Sequence, residues 1–385
     1  MCIGRIWGSV AILALCAFGV GCQAGATVES IVTTTESTSD RVTSTSASPP
    51  PPVTASASVQ RELGAQGLTV AVVGDWYADD PDERRHVEDA EQTREAILAA
   101  APALVLGLGD FSYDDSPDSF FAFAAPLEAI IPIYPTYGNH DGVSKGEVTR
   151  PNFYRELRDH FLVHDEWYSF DVGPVHLISI NSEYPFGTAE FDLQFEDIST
   201  DLAAAYAHDE VRMIIPFFHR AMVNPLSQNG PDWTLQEIVH PLLDRYSSKI
   251  PLALQAHHHI YTRTHAVGYS EERDADRCQD AVGGTICESV PLLVDAGSGA
   301  SPVVYGPTGI VFVTVGTGGA YATGLTPDAP YMATRIKPSS VMDTDGEAGT
   351  FGYLRLMVAE DARSVEGEYR ANNGDVLDWF RIEMS

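Results

Sequence analysis

In five places this chain closes an apolar run on residues able to hold a cation. Asp75 follows "LTVAVVG", Asp110 follows "ALVLGLG", Asn139-His140-Asp141 follows "PIYPTYG", His219 follows "MIIPFF" and His257-His258-His259 follows "IPLALQA". Carboxylate, amide and imidazole groups are the oxygen and nitrogen donors that iron, manganese and zinc accept, and no thiolate is among them. Singly, each has an ordinary structural use: Asp75 could cap the segment after it, Asn139 could make a turn, and His219 could be a hydrogen-bonded core residue. Together they are harder to dismiss, because the carboxyl ends of strands in α/β sheets converge on one crevice. In "QAHHHIYTR" a strand continuing past Ala256 would alternate its side chains, placing His257 and His259 on one face and His258 on the other.

These residues need strands to carry them. "LTVAVVGD", "PALVLGLGD", "PIYPTYGNHD", "VHLISINS", "VRMIIPFFH" and "IPLALQAHH" read as buried strands. Between them, "HVEDAEQTREAILAAA", "NFYRELRDHF", "LQFEDISTDLAAAYAH" and "DWTLQEIVHPLLDRY" have helical spacing. From "VPLLVDAG" through "GIVFVTVG", "GYLRLMVAE", "SVEGEYRA" and "VLDWFRIE" strands follow one another and helical patterns nearly vanish. That order predicts an α/β protein with more than one sheet. No boundary interrupts the pattern, so residues 67–385 are expected to form one domain.

With 54 acidic against 23 basic residues and a formal charge of -31, attraction to nucleic acid or to anionic lipid headgroups is disfavoured. Residues 1–22 combine one arginine with a short apolar run, the pattern of an export signal. The run ends in "FGVGC", similar to a bacterial lipobox with Cys22 as the lipidated residue, so both lipid anchoring to a membrane and ordinary cleavage are open. Residues 23–66, rich in Ser, Thr and Pro, are expected to be a disordered tether. The expected location is the bacterial cell envelope, lipid-anchored or periplasmic, or the exterior. Beyond residue 22 the cysteines are Cys278 and Cys287, which in an oxidising compartment most simply form a local disulfide.

"GDW" at Gly74, "GDFSY" at Gly109, "GNHD" at Gly138, "FFH" at Phe217 and "AHHHIYTR" at Ala256 resemble, in order and spacing, the five signature blocks of the calcineurin-like metallophosphoesterases, in the purple acid phosphatase branch. The resemblance implies a four-layer αββα sandwich of two mixed β-sheets flanked by helices, in the branch's small single-domain form. It implies two metal ions sharing Asp110. Fe(III) would sit with Asp75, Asp110, Tyr113 and His259; Fe(II), Zn(II) or Mn(II) would sit with Asp110, Asn139, His219 and His257. His140 would contact the phosphate and protonate the leaving group. The chain departs from the branch at Ala256, where a glycine is usual, and at Gln228, where a histidine is usual. Gln228 could still hydrogen-bond a phosphate, leaving proton delivery to His140.

The resulting expectation is an exported acid phosphatase acting on small-molecule phosphate monoesters. A phosphodiesterase or nucleotidase of the same superfamily is the alternative, and a non-catalytic surface protein that binds metal or phosphate is a third reading. No protein partner is legible.

Overall fold

The computed structural model describes residues 67–76, 84–113, 117–144, 147–161, 166–225, 231–281, 284–324, 328–340 and 349–385. The expected export signal, the tether, Cys22 and Gln228 lie outside the described residues.

In chain order the strands are β1 Leu68–Val73, β2 Leu104–Gly107, β3 Ile133–Pro135, β4 Val143–Ser144, β5 Glu147–Val148, β6 Tyr168–Val172, β7 Val175–Ile180, β8 Met213–Phe218, β9 Leu252–Gln255 and β10 Tyr261–Gly268. They continue as β11 Arg273–Ala281, β12 Gly284–Ser289, β13 Leu292–Asp295, β14 Val303–Tyr305, β15 Ile310–Val315, β16 Met332–Ile336, β17 Gly352–Val358, β18 Ser364–Ala371 and β19 Val376–Glu383. The helices are α1 Arg84–Ala100, α2 Asp118–Glu128, α3 Pro151–His160, α4 Ala189–Ala207 and α5 Trp233–Asp244. One sheet has the order β14-β19-β18-β17-β1-β2-β3 and the other β13-β10-β15-β9-β8-β7-β6, with β16 also on β10. Both are mixed: β1, β2 and β3 are parallel, as are β7, β8, β9 and β15, while β17 and β18 run antiparallel to both neighbours, β19 is antiparallel to β18 but parallel to β14, and β10 is antiparallel to its neighbours.

Side-chain alternation explains why these runs are apolar throughout. Val70 and Val72 of β1, Ile215 and Phe217 of β8, and Val311 and Val313 of β15 join a core shared by the two sheets. Their neighbours Ala71 and Val73, Ile214 and Phe218, and Ile310 and Phe312 belong to a second apolar cluster with helix residues Ile97, Phe120, Ile198, Leu202 and Val239. A strand covered on both faces has no polar side to show. The expected αββα layering is therefore the observed one. Helix α4 starts where Thr188 accepts from Phe191 N, and α5 where Asp232 accepts from Leu235 N. Helix α2, not among the expected helices, runs through Pro126, and its buried Phe120, Phe123, Ala124 and Leu127 keep helical spacing.

Cys278 and Cys287 face each other across the β11–β12 hairpin and are disulfide-bonded. Among the described residues no helix is long and apolar enough to cross a membrane.

A buried histidine held between two partly exposed carboxylates ties the β6–β7 hairpin to α4. His176, 5% exposed, faces Asp171 Oδ1 at 2.7 Å and Asp201 Oδ2 at 3.0 Å. Burial alone would lower its pKa, but the two carboxylates outweigh burial and hold it up to about 9. The raised folded-state value makes this contribution complete below the unfolded value of about 6.5 and lost as pH rises through about 9. His176→Gln is expected to cost about 2 kcal/mol at pH 6, allowing for screening at the exposed Asp171, and much less at pH 10. Urea unfolding at the two pH values checks this; an equal cost at both would contradict it.

Candidate metal centre

The carboxyl ends of β1, β2 and β3 in one sheet meet those of β8 and β9 in the other, and backbone bonds stitch the exits together. Gly74 N donates to Val315 O at 2.9 Å, Asp75 N to Gly109 O at 3.0 Å and Ala256 N to His219 O at 2.8 Å. Asp75, Asp110 and His257 have φ of 54°, 52° and 69°, a left-handed backbone that costs a residue with a Cβ about 1–3 kcal/mol. Such strain gathers where geometry serves a site. Two glycines leave room for the carboxylates. A Cβ on Gly138 would lie 2.2 Å from Asp110 Oδ1, and one on Gly316 would lie 2.7 Å from Asp75 Oδ2.

Two donor clusters result. Asp110, His219 and His257 form one, and Asp75, Asp110 and His259 the other; within each, the donor atoms lie within 4.8 Å of one another. Asp110 is common to both. Asp75, Asp110 and His219 are 0–1% exposed and His259 is 4% exposed. Asn139 adds its Oδ1 3.2 Å from His219 Nε2, and Tyr113 adds its hydroxyl 3.0 Å from His259 Nε2 and 3.3 Å from Asp75 Oδ1.

Histidine tautomers test whether these groups suit a cation. His219 Nδ1 lies 2.8 Å from Leu108 O and His259 Nδ1 lies 2.6 Å from Tyr321 O, so each ring carries its proton on Nδ1 and donates it to a carbonyl. Each Nε2 lone pair then points at other acceptors. His219 Nε2 has Asp110 Oδ2 at 3.3 Å and His257 Nδ1 at 3.1 Å, while His259 Nε2 has Asp75 Oδ1 at 3.2 Å. Acceptor atoms gathered this closely repel one another unless positive charge stands among them, as protons or as cations. The site fits two cations of the kind that take oxygen and imidazole donors.

Without a cation, protons supply that positive charge. Burial disfavours charge on Asp110, yet His219, followed by His140 and His257, holds its carboxyl well below the usual range. Burial likewise opposes protonation of His219, but Asp110 raises it to about 10. Burial, then Asp75 and Asp110, push the Tyr113 phenol well above its ordinary value, so a phenolate there requires a neighbouring cation.

The remaining expected residues fall as follows. The His140 ring stands over Tyr113 with 4.3 Å between centroids, and its backbone N–H donates to Asp110 Oδ1 at 2.8 Å. His258 is fully buried and belongs to neither cluster. The expected reason for the separation of the histidines needs correction: β9 ends at Gln255, and residues 257–260 form bends instead of continuing the strand. It is this turn, with His257 left-handed, that sends His257 and His259 to different clusters. The methyl of Ala256 is accommodated by Gly74, where a Cβ would come within 2.7 Å of it.

Two supports were not legible beforehand. Asp141, fully buried, accepts from Gly138 N and Asp110 N at 2.8 Å and from Phe111 N at 2.9 Å, clamping the β2 and β3 exits together. Arg220 Nη2 donates to the buried Glu183 Oε2 at 2.7 Å, joining the exits of β7 and β8. Both depend on partners remote in sequence.

The family model for Calcineurin-like phosphoesterase matches residues 68–261, which include every residue of the two clusters. The chain is 30% identical to acid phosphatase type 7 of Mus musculus over 40% of this chain and 35% of that protein. It is 29% identical to acid phosphatase type 7 of Homo sapiens over 50% of this chain and 47% of that protein. It thus spans less than half the length of these curated relatives. Its fold is similar to purple acid phosphatase PPD1 from yellow lupin (Lupinus luteus) seeds, with a TM-score of 0.62, 20% identity, and coverage of 84% of this chain and 55% of that chain.

Proposed function

Since the chain belongs to the calcineurin-like phosphoesterase family, we propose that residues 67–385 form an acid phosphatase domain that hydrolyses small-molecule phosphate monoesters at a dinuclear metal centre. The observation that carries this reading is the pair of buried clusters sharing Asp110. In it, Asp75, Asp110, Tyr113 and His259 hold Fe(III), and Asp110, Asn139, His219 and His257 hold Fe(II), Zn(II) or Mn(II). Bound there, the ions would supply Lewis acidity and an activated water and offset charge on the phosphate.

The chain's own residues orient and protect the reaction. Leu108 O and Tyr321 O fix the rings of His219 and His259. Asp141 holds the loops bearing Asp110 and Asn139 in register. His140, its ring tilted against Tyr113 and its N–H anchored to Asp110, contacts the phosphate and delivers a proton to the departing oxygen. Gln228 is a further phosphate contact in this reading. Export through residues 1–22, with Cys22 as a lipid anchor or with release, completes the reading. The Cys278–Cys287 disulfide supports an oxidising location.

Colour tests the metal assignment. Iron-loaded protein is expected to show a tyrosinate-to-Fe(III) charge-transfer band that Tyr113→Phe abolishes; a colourless protein holding only zinc or manganese would remove iron from the reading. Phosphate release from monoester and diester substrates tests the chemistry. Faster diester cleavage would replace the acid phosphatase reading with the phosphodiesterase one.

A further inference from the structure

His257 turns Nδ1 toward the first cluster, 3.1 Å from His219 Nε2, and presents Nε2 on the other side of its ring to Arg220 Nη1 at 3.4 Å. The second arm of Arg220 is committed to Glu183, and its backbone N–H donates to Ser182 Oγ at 2.9 Å, so the guanidinium is held in place from both ends. Once Nδ1 serves as a ligand, a neutral imidazole carries its proton on Nε2. Two N–H donors then stand 3.4 Å apart without an acceptor, an arrangement relieved by an anionic oxygen beside the pair that accepts from both. We propose that Arg220 and His257 Nε2–H form an anion subsite beside the metal clusters, which takes the second phosphate of a diphosphate substrate.

The position of Nε2 argues for a second acidic group. It lies on the side of the ring away from His219, so an acceptor shared with Arg220 stands outside the clusters that engage the transferred phosphate. Glu183 offsets part of the guanidinium charge from a buried position, while Arg220 and His257 both stay partly exposed. In a chain of net charge -31, a fixed cation that is 11% exposed beside the clusters favours an anion at that point. This inference rests on the hydrolase reading and narrows its substrate class.

The test compares binding of methylenediphosphonate and inorganic phosphate to the metal-loaded protein by calorimetry, with metal content measured alongside. In Arg220→Gln the affinity ratio of diphosphonate to phosphate is expected to fall about tenfold, the scale of one charge-assisted hydrogen bond. An Arg220→Gln/Glu183→Gln double variant gives the same reading without stranding a buried carboxylate, should the single variant fold poorly. An unchanged ratio would overturn the subsite. Loss of a metal ion would also overturn it, by making Arg220 a positioning residue for His257. Diphosphonate binding needs no turnover, so failure of wild type to release phosphate from any ester would sink the hydrolase reading separately.

Discussion

Asp110→Asn is expected to strip both metal ions from the protein and to lower phosphate ester hydrolysis by at least about a thousandfold. Asp110 is the residue common to the two clusters, and its carboxylate is 1% exposed. Oδ2 lies 3.3 Å from His219 Nε2, and Oδ1 accepts the His140 N–H at 2.8 Å. An amide of equal size offers one oxygen and two N–H hydrogens. If its oxygen keeps the His140 bond, its N–H hydrogens enter the space between the clusters, where they repel a cation. If it flips, a donor faces the His140 donor. Neither orientation restores the lost negative charge. Asp75→Asn removes a donor from one cluster alone and is expected to lose a single ion, leaving Asp110, His219 and His257 together. Metal analysis of the two variants separates the cases; two ions retained in Asp110→Asn would show that the clusters do not depend on a shared carboxylate.

The loops of the site are legible in the sequence because each ligand stands where an apolar run ends, and local pattern suffices to find such positions. Sheet membership is not local. Strand β1 lies beside β17, and β14 beside β19, because of pairings between segments far apart in the chain. The supports of the site are hidden for the same reason. Asp141 caps the N–H groups of a loop formed 30 residues earlier, and Glu183 meets Arg220 across 37 residues. In "AHHHIYTR" the residue types show that two histidines can serve different clusters, but the left-handed turn that separates them is not visible in an alternating pattern. Helix α2 keeps helical spacing at Phe120, Phe123, Ala124 and Leu127, a local signal the sequence carries despite Pro126.

That same block ends on Arg263, whose role is set by the opposite sheet. Arg263 on β10 is 1% exposed and grips Asp378 on β19 with both arms of a fork, Nε to Oδ2 at 2.7 Å and Nη2 to Oδ1 at 2.9 Å. Tyr261 donates to the same Oδ2 at 2.8 Å, Thr334 reaches Oδ1 at 3.3 Å, and Tyr305 bonds Arg263 Nη1. The guanidinium also lies 5.0 Å from the Phe380 ring centroid. The pair therefore bridges the two sheets inside their shared core, two strand residues beyond the point where the His257–His259 loop enters β10. Asp378→Ala leaves a buried guanidinium without its counter-ion, and is expected to destabilise the fold by about 3–5 kcal/mol. Replacing both partners, as Arg263→Met/Asp378→Leu, removes the stranded charge and is expected to recover most of that loss, because burying an ion pair consumes much of the energy its attraction returns. Denaturant unfolding of the two variants and wild type checks both halves. A single variant within about 1 kcal/mol of wild type would show that water reaches the guanidinium, and a double variant as unstable as the single one would show that the network's directed hydrogen bonds, more than its charge balance, hold the sheets in alignment.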